Sequence, residues 1–296
     1  MSTKILVPLD GSGLSERAVP YATVLAKASH GALTLVRVIA DPAQEAETRG
    51  ELAAVAEKVA KAGVNVDWRV VVGYPAEMII AAAADDHTMI VMSTHGRSGL
   101  GRWLYGSVAD EVLRGATVPV LLIPATCGRI WRQDHPFRIL APLDGSDFAE
   151  EVLTLTVSLA DQLSAELLLV KVVEPPHYAY TDTFPYPMND VKSELGIADH
   201  YLSEIARALG KPGRVVQTRS VVGHPPSAIA ALATEEQSDL IAMATHGRGG
   251  VRRLVLGSVA LGTLQRSTVP LLLVRPEAMR LTTLNSGVLL GLTEED

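Results

Sequence analysis

The chain has 296 residues, 26 Lys and Arg against 33 Asp and Glu, a formal net charge of -7, and 48% hydrophobic and 20% charged residues. That is the length of two domains of roughly 150 residues each, with a composition that excludes disorder and an acidic balance that excludes a general nucleic-acid binder. No apolar run approaches the roughly 18 residues of a membrane span, the opening MSTKILVPLD lacks a signal peptide's basic start and apolar core, and a lone Cys127 rules out an internal disulfide or a multi-cysteine metal cage while fitting a reducing cytoplasm.

In chain order, ILVPL is a short apolar run, followed by helical spacing over residues 12–28 with Ser12 as a candidate N-cap. ALTLVRVI reads as a β-branched strand, and residues 43–62, rich in Ala and Glu, read as a helix. VNVDWRVVV is a strand, and Pro75 stands where the next helix starts, continued by AEMIIAAAA. MIVMS is a strand, residues 106–114 a helix and VPVLLI a final strand. Strands separated by helices imply parallel crossover units and a doubly wound sheet. Such sheets take ligands beyond the carboxyl ends of their strands, where the winding reverses.

The chain then repeats itself. KILVPLDGS at residue 4 is answered by RILAPLDGS at residue 138, and VVGYPAEMIIAAAA at residue 71 by VVGHPPSAIAALAT at residue 221. MSTHGRSGLGRWLYGSVADEVLRGATVPVLLIP at residue 92 is answered by MATHGRGGVRRLVLGSVALGTLQRSTVPLLLVRP at residue 243. Units this long are duplicated domains rather than solenoid turns. The expected division is residues 1–125, a linker over 126–136, a second domain over 137–276 and a tail over 277–296. An insertion over residues 174–193, with four prolines and four aromatics, suggests an ordered loop or lid more than a helix.

Two strand ends in each unit collect chemistry. One is Pro8-Leu9-Asp10-Gly11-Ser12, repeated as Pro142 to Ser146. The other runs from Thr94-His95-Gly96-Arg97 to Gly106-Ser107-Val108, repeated from Thr245-His246-Gly247-Arg248 to Gly257-Ser258-Val259. The second cluster reads as an anion site. A glycine admits a ligand close to its amide, and a helix opening at Gly106-Ser107 presents amides with no internal partner and the positive end of its dipole. Thr94 to Ala109 carries Arg97 and Arg102 and no acid, and Thr245 to Arg266 carries four arginines and no acid. The alternative is a plain glycine turn solvated by arginine. Asp10 and Asp144 suit a ribose hydroxyl or a hydrated metal ion, or equally an Asp-Gly turn. His95 and His246 lack an orienting carboxylate in their motif and read as loop-positioning groups. There is no nucleophile elbow, no Walker sequence and no zinc-ligand spacing.

Taken together, ILVPLDGS, THGRSG, GSV and VPVLLI resemble the universal stress protein family in a tandem form, over nearly all of both repeats. The resemblance implies two tandem five-stranded parallel α/β sheets, doubly wound and Rossmann-like, with strand order 3-2-1-4-5. It implies ATP binding, since nucleotide-binding members carry G-x2-G-x9-G-(S/T). Gly96 with Gly106-Ser107, and Gly247 with Gly257-Ser258, match the last three elements of that pattern. The first glycine is replaced by Ser93 and Ala244. By the same resemblance Asp10 and Asp144 lie near ribose and adenine, with Pro8 and Pro142 beside them. Val38, Val172, Met92 and Met243 would also lie near the nucleotide, and the triphosphate would lie on the glycine segments with Mg2+.

The implied role is cytoplasmic stress response by nucleotide-dependent regulation of unidentified protein partners. No nucleic acid or membrane is expected to bind. The two repeats are expected to mimic a family dimer through their final strands, and two chains to pair as a homodimer. With no general base positioned by sequence, fast hydrolysis is not expected, although amides and a metal can support slow hydrolysis. The other readings are a nucleotide-free dimerisation scaffold and a slow ATPase.

Overall fold

The computed structural model describes residues 3–95, 106–128, 130–131, 136–175, 188–245 and 256–275. The first half contains β1 (Lys4–Pro8), α1 (Gly13–Glu16), α2 (Ala18–Ala28), β2 (Ala32–Ile39), α3 (Glu45–Lys61), β3 (Asn65–Val72), α4 (Pro75–Asp86), β4 (Met89–Ser93), α5 (Ser107–Gly115) and β5 (Val120–Ile123). The second half repeats the plan as β6 (Arg138–Pro142), α6 (Asp147–Leu163), β7 (Glu166–Val173), α7 (Met188–Ala208), β8 (Val216–Val222), α8 (Pro225–Glu235), β9 (Leu240–Ala244), α9 (Ser258–Arg266) and β10 (Leu271–Val274).

Local chemistry accounts for most boundaries. Ser12 caps α1, its side chain accepting from the Ser15 amide, and Pro75 sits in the first turn of α4, where its missing N–H costs nothing. Two expectations change. The helix expected over 12–28 breaks at Arg17, because Pro20 cannot donate to the Glu16 carbonyl and its ring crowds that turn. Thr154 holds the matching place in α6, which runs unbroken from Asp147 to Leu163. The segment over 174–193 ends in helix rather than loop, since α7 starts at Met188. Between Pro187 and Pro212 there is no proline, and Leu195, Ala198 and Leu202 recur at helical spacing, the last two fully buried. Residues 176–187 and the tail from 276 lie outside the described residues.

The strands form one ten-stranded sheet in the order β3-β2-β1-β4-β5-β10-β9-β6-β7-β8. Each half therefore has the order 3-2-1-4-5, parallel throughout, and the halves join where β5 meets β10 antiparallel, Leu122 opposite Leu271 and Val120 opposite Leu273. The final strands thus supply the contact expected of them, and each covers the other's open edge. A palindromic order with one antiparallel junction means a local two-fold axis between the halves. It also means that their strands point in opposite directions, so the carboxyl ends of the two halves lie on opposite rims of the sheet.

Both sheet faces are buried, as parallel sheets require. On one face Ile5, Val7, Leu33 and Leu35 pack with α2 and α3, and their counterparts with α6 and α7. On the other, Leu6, Val36, Ile90 and Met92 pack with α4 and α5, and their counterparts with α8 and α9. The segment between the halves is part of this core. Cys127 and Trp131 are buried, the Trp131 ring meets Tyr21 and Phe137 edge-on at 5.0 and 4.9 Å, and its Nε1 donates to the Asp239 carbonyl at 2.8 Å.

Candidate functional site

The order 3-2-1-4-5 puts β1 between β2 and β4, so the Asp10 turn stands at the reversal of winding. Leu9 donates its amide to the Val36 carbonyl at 2.8 Å, which carries the pairing with β2 to the edge of the turn. Gly11 then takes φ 82°, a left-handed conformation that its lack of a Cβ permits. Asp10 Oδ1 accepts from the Ser12 amide at 2.9 Å and from Ser12 Oγ at 2.7 Å. The copy repeats this, with Gly145 at φ 87° and Asp144 Oδ1 accepting from the Ser146 amide and hydroxyl at 3.0 and 2.6 Å. The turn aspartate is therefore an Asx-turn former in both halves, held in a fixed orientation at the rim. Pro8 is buried beneath it and Pro142 partly buried.

At the end of β4, Met92 is buried among Leu6, Val36 and Ile90. Register Ile5 with Met89 and Leu6 with Ile90, carried forward, sets Pro8 level with Met92. Ser93, where the pattern has glycine, is buried, and its Oγ accepts from the His95 amide at 3.3 Å. The added atoms thus serve the loop itself. The Thr94 carbonyl accepts the Gly106 amide at 2.7 Å, and the Thr245 carbonyl accepts the Gly257 amide at 2.8 Å. This contact ties the start of α5 to the end of β4, and α9 to β9, and so closes the loop between them.

The same contact alters one expectation. The amides of Gly106 and Gly257, expected without an internal partner, each donate to a protein carbonyl. The amides of Ser107 and Val108, and of Ser258 and Val259, follow a cap residue with no side chain to bind them. Ser107 and Ser258 are exposed, and Val108 and Val259 rest on the core. Gly96, Arg97, Gly247 and Arg248, with His246, lie outside the described residues. His95 is buried with Nδ1 3.0 Å from Thr94 Oγ1, which itself accepts from the Ala125 amide at 3.2 Å. It sits within the loop's internal bonding, as a positioning group would.

Val38 and Val172 are half-buried on the α4 and α8 side of the sheet. The residues before them turn to the other side, and sequence reasoning passed over both. Arg37 is buried against Gly11, where any Cβ would collide with its guanidinium, and it pairs with Glu51 at 3.2 Å. Lys171 Nζ donates to the Asp144 carbonyl at 2.7 Å and lies 4.8 Å from the centroid of the Tyr201 ring. Burial, followed by the hydrogen bond to Glu150, pushes the Tyr201 hydroxyl pKa up, so it stays a neutral donor at 2.7 Å. A cation third from the end of a mostly apolar strand, at the same place in both repeats, is the signal the sequence offers.

Among the described residues there is no group of three or more His, Cys, Asp or Glu that could hold a metal ion, and no helix long and apolar enough to cross a membrane.

Comparison with known proteins agrees with this architecture. The model of the universal stress protein family matches residues 1–124 and again 137–275. Universal stress protein Rv2005c of Mycobacterium tuberculosis is 26% identical over 294 residues, covering 92% of this chain and 96% of that protein. A universal stress protein of Thermus aquaticus is 33% identical over 138 residues, 46% of this chain and 97% of its own length. The crystal structure of a universal stress protein from Archaeoglobus fulgidus superposes with a TM-score of 0.69 at 23% identity, over 93% of this chain and 99% of the other, which shows the shared fold. With the family matched once in each half of one continuous sheet, the chain belongs to the universal stress protein family and carries its domain twice.

Proposed function

We propose that this protein binds ATP at the winding reversal of each half and acts in the cytoplasm as a nucleotide-dependent regulator of the stress response. On this reading the chain divides into domains over 1–125 and 137–276, joined by 126–136 and followed by a tail over 277–296. The observation that carries the reading is the clamp between Thr94 and Gly106, repeated between Thr245 and Gly257. It holds a helix start with a bare glycine cap beside the rim where the Asp10 or Asp144 turn stands. Phosphate suits the Ser107 and Val108 amides and the Ser107 hydroxyl, because anions favour the positive end of a helix dipole. Adenine suits the apolar wall of Val38 and Met92, and a ribose hydroxyl suits the Asp10 carboxylate. With no carboxylate cluster among the described residues, Mg2+ would arrive on the triphosphate, with Asp10 or Asp144 as an acidic neighbour. Each charge-assisted hydrogen bond contributes roughly 1.5–3 kcal/mol, so micromolar affinity needs several together.

A second reading has support from Ser93, whose hydroxyl fills the place of the first glycine and bonds within the loop. It makes the protein a nucleotide-free scaffold whose function lies in pairing with a second copy or with partner proteins. Acid release and chromatography of purified protein decide between them. Adenine nucleotide at one or two equivalents per chain is expected. Protein free of nucleotide that also fails to bind added ATP-Mg2+ sinks the first reading.

A further inference from the structure

We propose that Arg37 and Lys171 are positioning residues of the two nucleotide sites, each fixing the direction of the carboxylate at the rim above it. The proposal rests on the ATP reading and deepens it. Both residues occupy the same place, the third from the end of the second strand of their half, and both turn toward the α3 or α7 face. Each presses its charged end on the backbone of the Asp-Gly turn. The Arg37 side chain is 6% exposed and its guanidinium fills the space a Gly11 side chain would need. Lys171 Nζ would stand 3.1 Å from a Cβ on Gly145 and already donates to the Asp144 carbonyl.

A left-handed glycine in a surface turn has several accessible conformations. A cation packed against the turn, as Arg37 is against Gly11, or bonded to its backbone, as Lys171 is to the Asp144 carbonyl, removes most of them, and the turn then holds Asp Oδ1 against the following serine. Burying a charge is costly unless it is paired, and here each cation is paired. Arg37 meets Glu51 from α3, while Lys171 has the Asp144 carbonyl and the Tyr201 ring, itself tethered to Glu150. These supports are built around the cations, as a positioning role requires.

The test compares ATP with 2',3'-dideoxy-ATP, which lacks the ribose hydroxyls the carboxylates would bind. Titration calorimetry of the full chain with Arg37→Met and Lys171→Met together is expected to show ATP affinity falling about tenfold or more, the worth of one charge-assisted hydrogen bond. Dideoxy-ATP affinity is expected to stay unchanged. The Arg37→Gln, Lys171→Gln chain gives the same pattern should the methionine chain not fold. Exchanging the cations, Arg37→Lys with Lys171→Arg, is expected to recover most of the ATP affinity. Equal losses for both nucleotides, no loss for ATP, or a wild type that binds the two equally well overturns the positioning role alone. A wild type that binds neither nucleotide overturns the ATP reading and this role with it.

Discussion

The two halves share a turn and differ in what holds it. In the first, Pro20 breaks the helix at Arg17, and the Arg17 guanidinium reaches the carbonyls of Ala125 and Cys127 in the segment between the repeats. The Ala125 amide in turn bonds Thr94 Oγ1, so the first rim is tied to that segment from two sides. In the second, α6 is continuous, Glu151 stands where Arg17 does, and the cation under the turn is Lys171 with Tyr201, where the first half has Arg37 with Glu51. The Asx bonding of Asp10 and Asp144 nevertheless agrees to within about 0.1 Å in each hydrogen bond. Local turn chemistry has persisted while its supports diverged. Because the halves run antiparallel, the first site shares its rim with the inter-repeat segment, and the second faces the opposite rim, where the chain leaves β7 at Val173.

That contrast can be broken in several ways, beginning with the largest effect. Gly96→Val with Gly247→Val is expected to abolish nucleotide binding with an unchanged far-UV circular dichroism spectrum, and either change alone to remove one equivalent per chain. Full binding by the double variant would dismiss the glycine segments as the phosphate cradle. Trp131→Ala removes a buried indole 7% exposed that links Tyr21 of the first half to Phe137 and Asp239 of the second. A loss of about 3–5 kcal/mol in denaturant unfolding is expected, as for other buried Trp truncations. A loss well under ~1 kcal/mol would make the segment a plain tether.

Asp10→Ala is expected to weaken one site of two, by about 1.5–3 kcal/mol, and Asp144→Ala the other. Equal weakening of both sites by one change would point to a shared pocket, which the opposite rims argue against. The smallest effect concerns His87, for which the second half has Ser238. Its ring is buried, with Nε2 2.9 Å from Thr34 Oγ1, and burial lowers its pKa below the ordinary 6.5 despite the neighbouring Asp86. The unfolded chain takes up this proton at a higher pH than the folded one. The contribution to stability is therefore full above pH 6.5 and is lost as pH falls below it toward the depressed value. His87→Ser is expected to flatten the fall of Tm between about pH 7 and 5, and an unchanged slope would refute this.

Much of the fold was legible because its signals are local. Ser12, Pro75 and the strand runs act within a few residues, and the helix and strand order followed from them. The break at Arg17 does not show in the apolar spacing of residues 12–28, which continues through it; its only local sign is Pro20. A sequence does not show which carbonyl takes up the Gly106 or Gly257 amide across the eleven residues that separate each pair. Arg37 was passed over because one cation in an apolar strand reads as a surface residue until Gly11 is found lying on it.

The sequence by itself determined the duplication, the parallel α/β plan of each half and the turn aspartates, since these follow from period, propensity and the special conformations of glycine and proline. Only the tertiary structure decided that β5 and β10 fuse the halves into one sheet, that the two rims face opposite ways, that Trp131 and Arg37 are buried, and that Lys171 lies half-buried under its turn. Those outcomes depend on contacts between residues about a hundred or more positions apart, or across the turn from one strand to the next, and burial of apolar surface, which is non-directional, selects among such contacts only once the elements are packed.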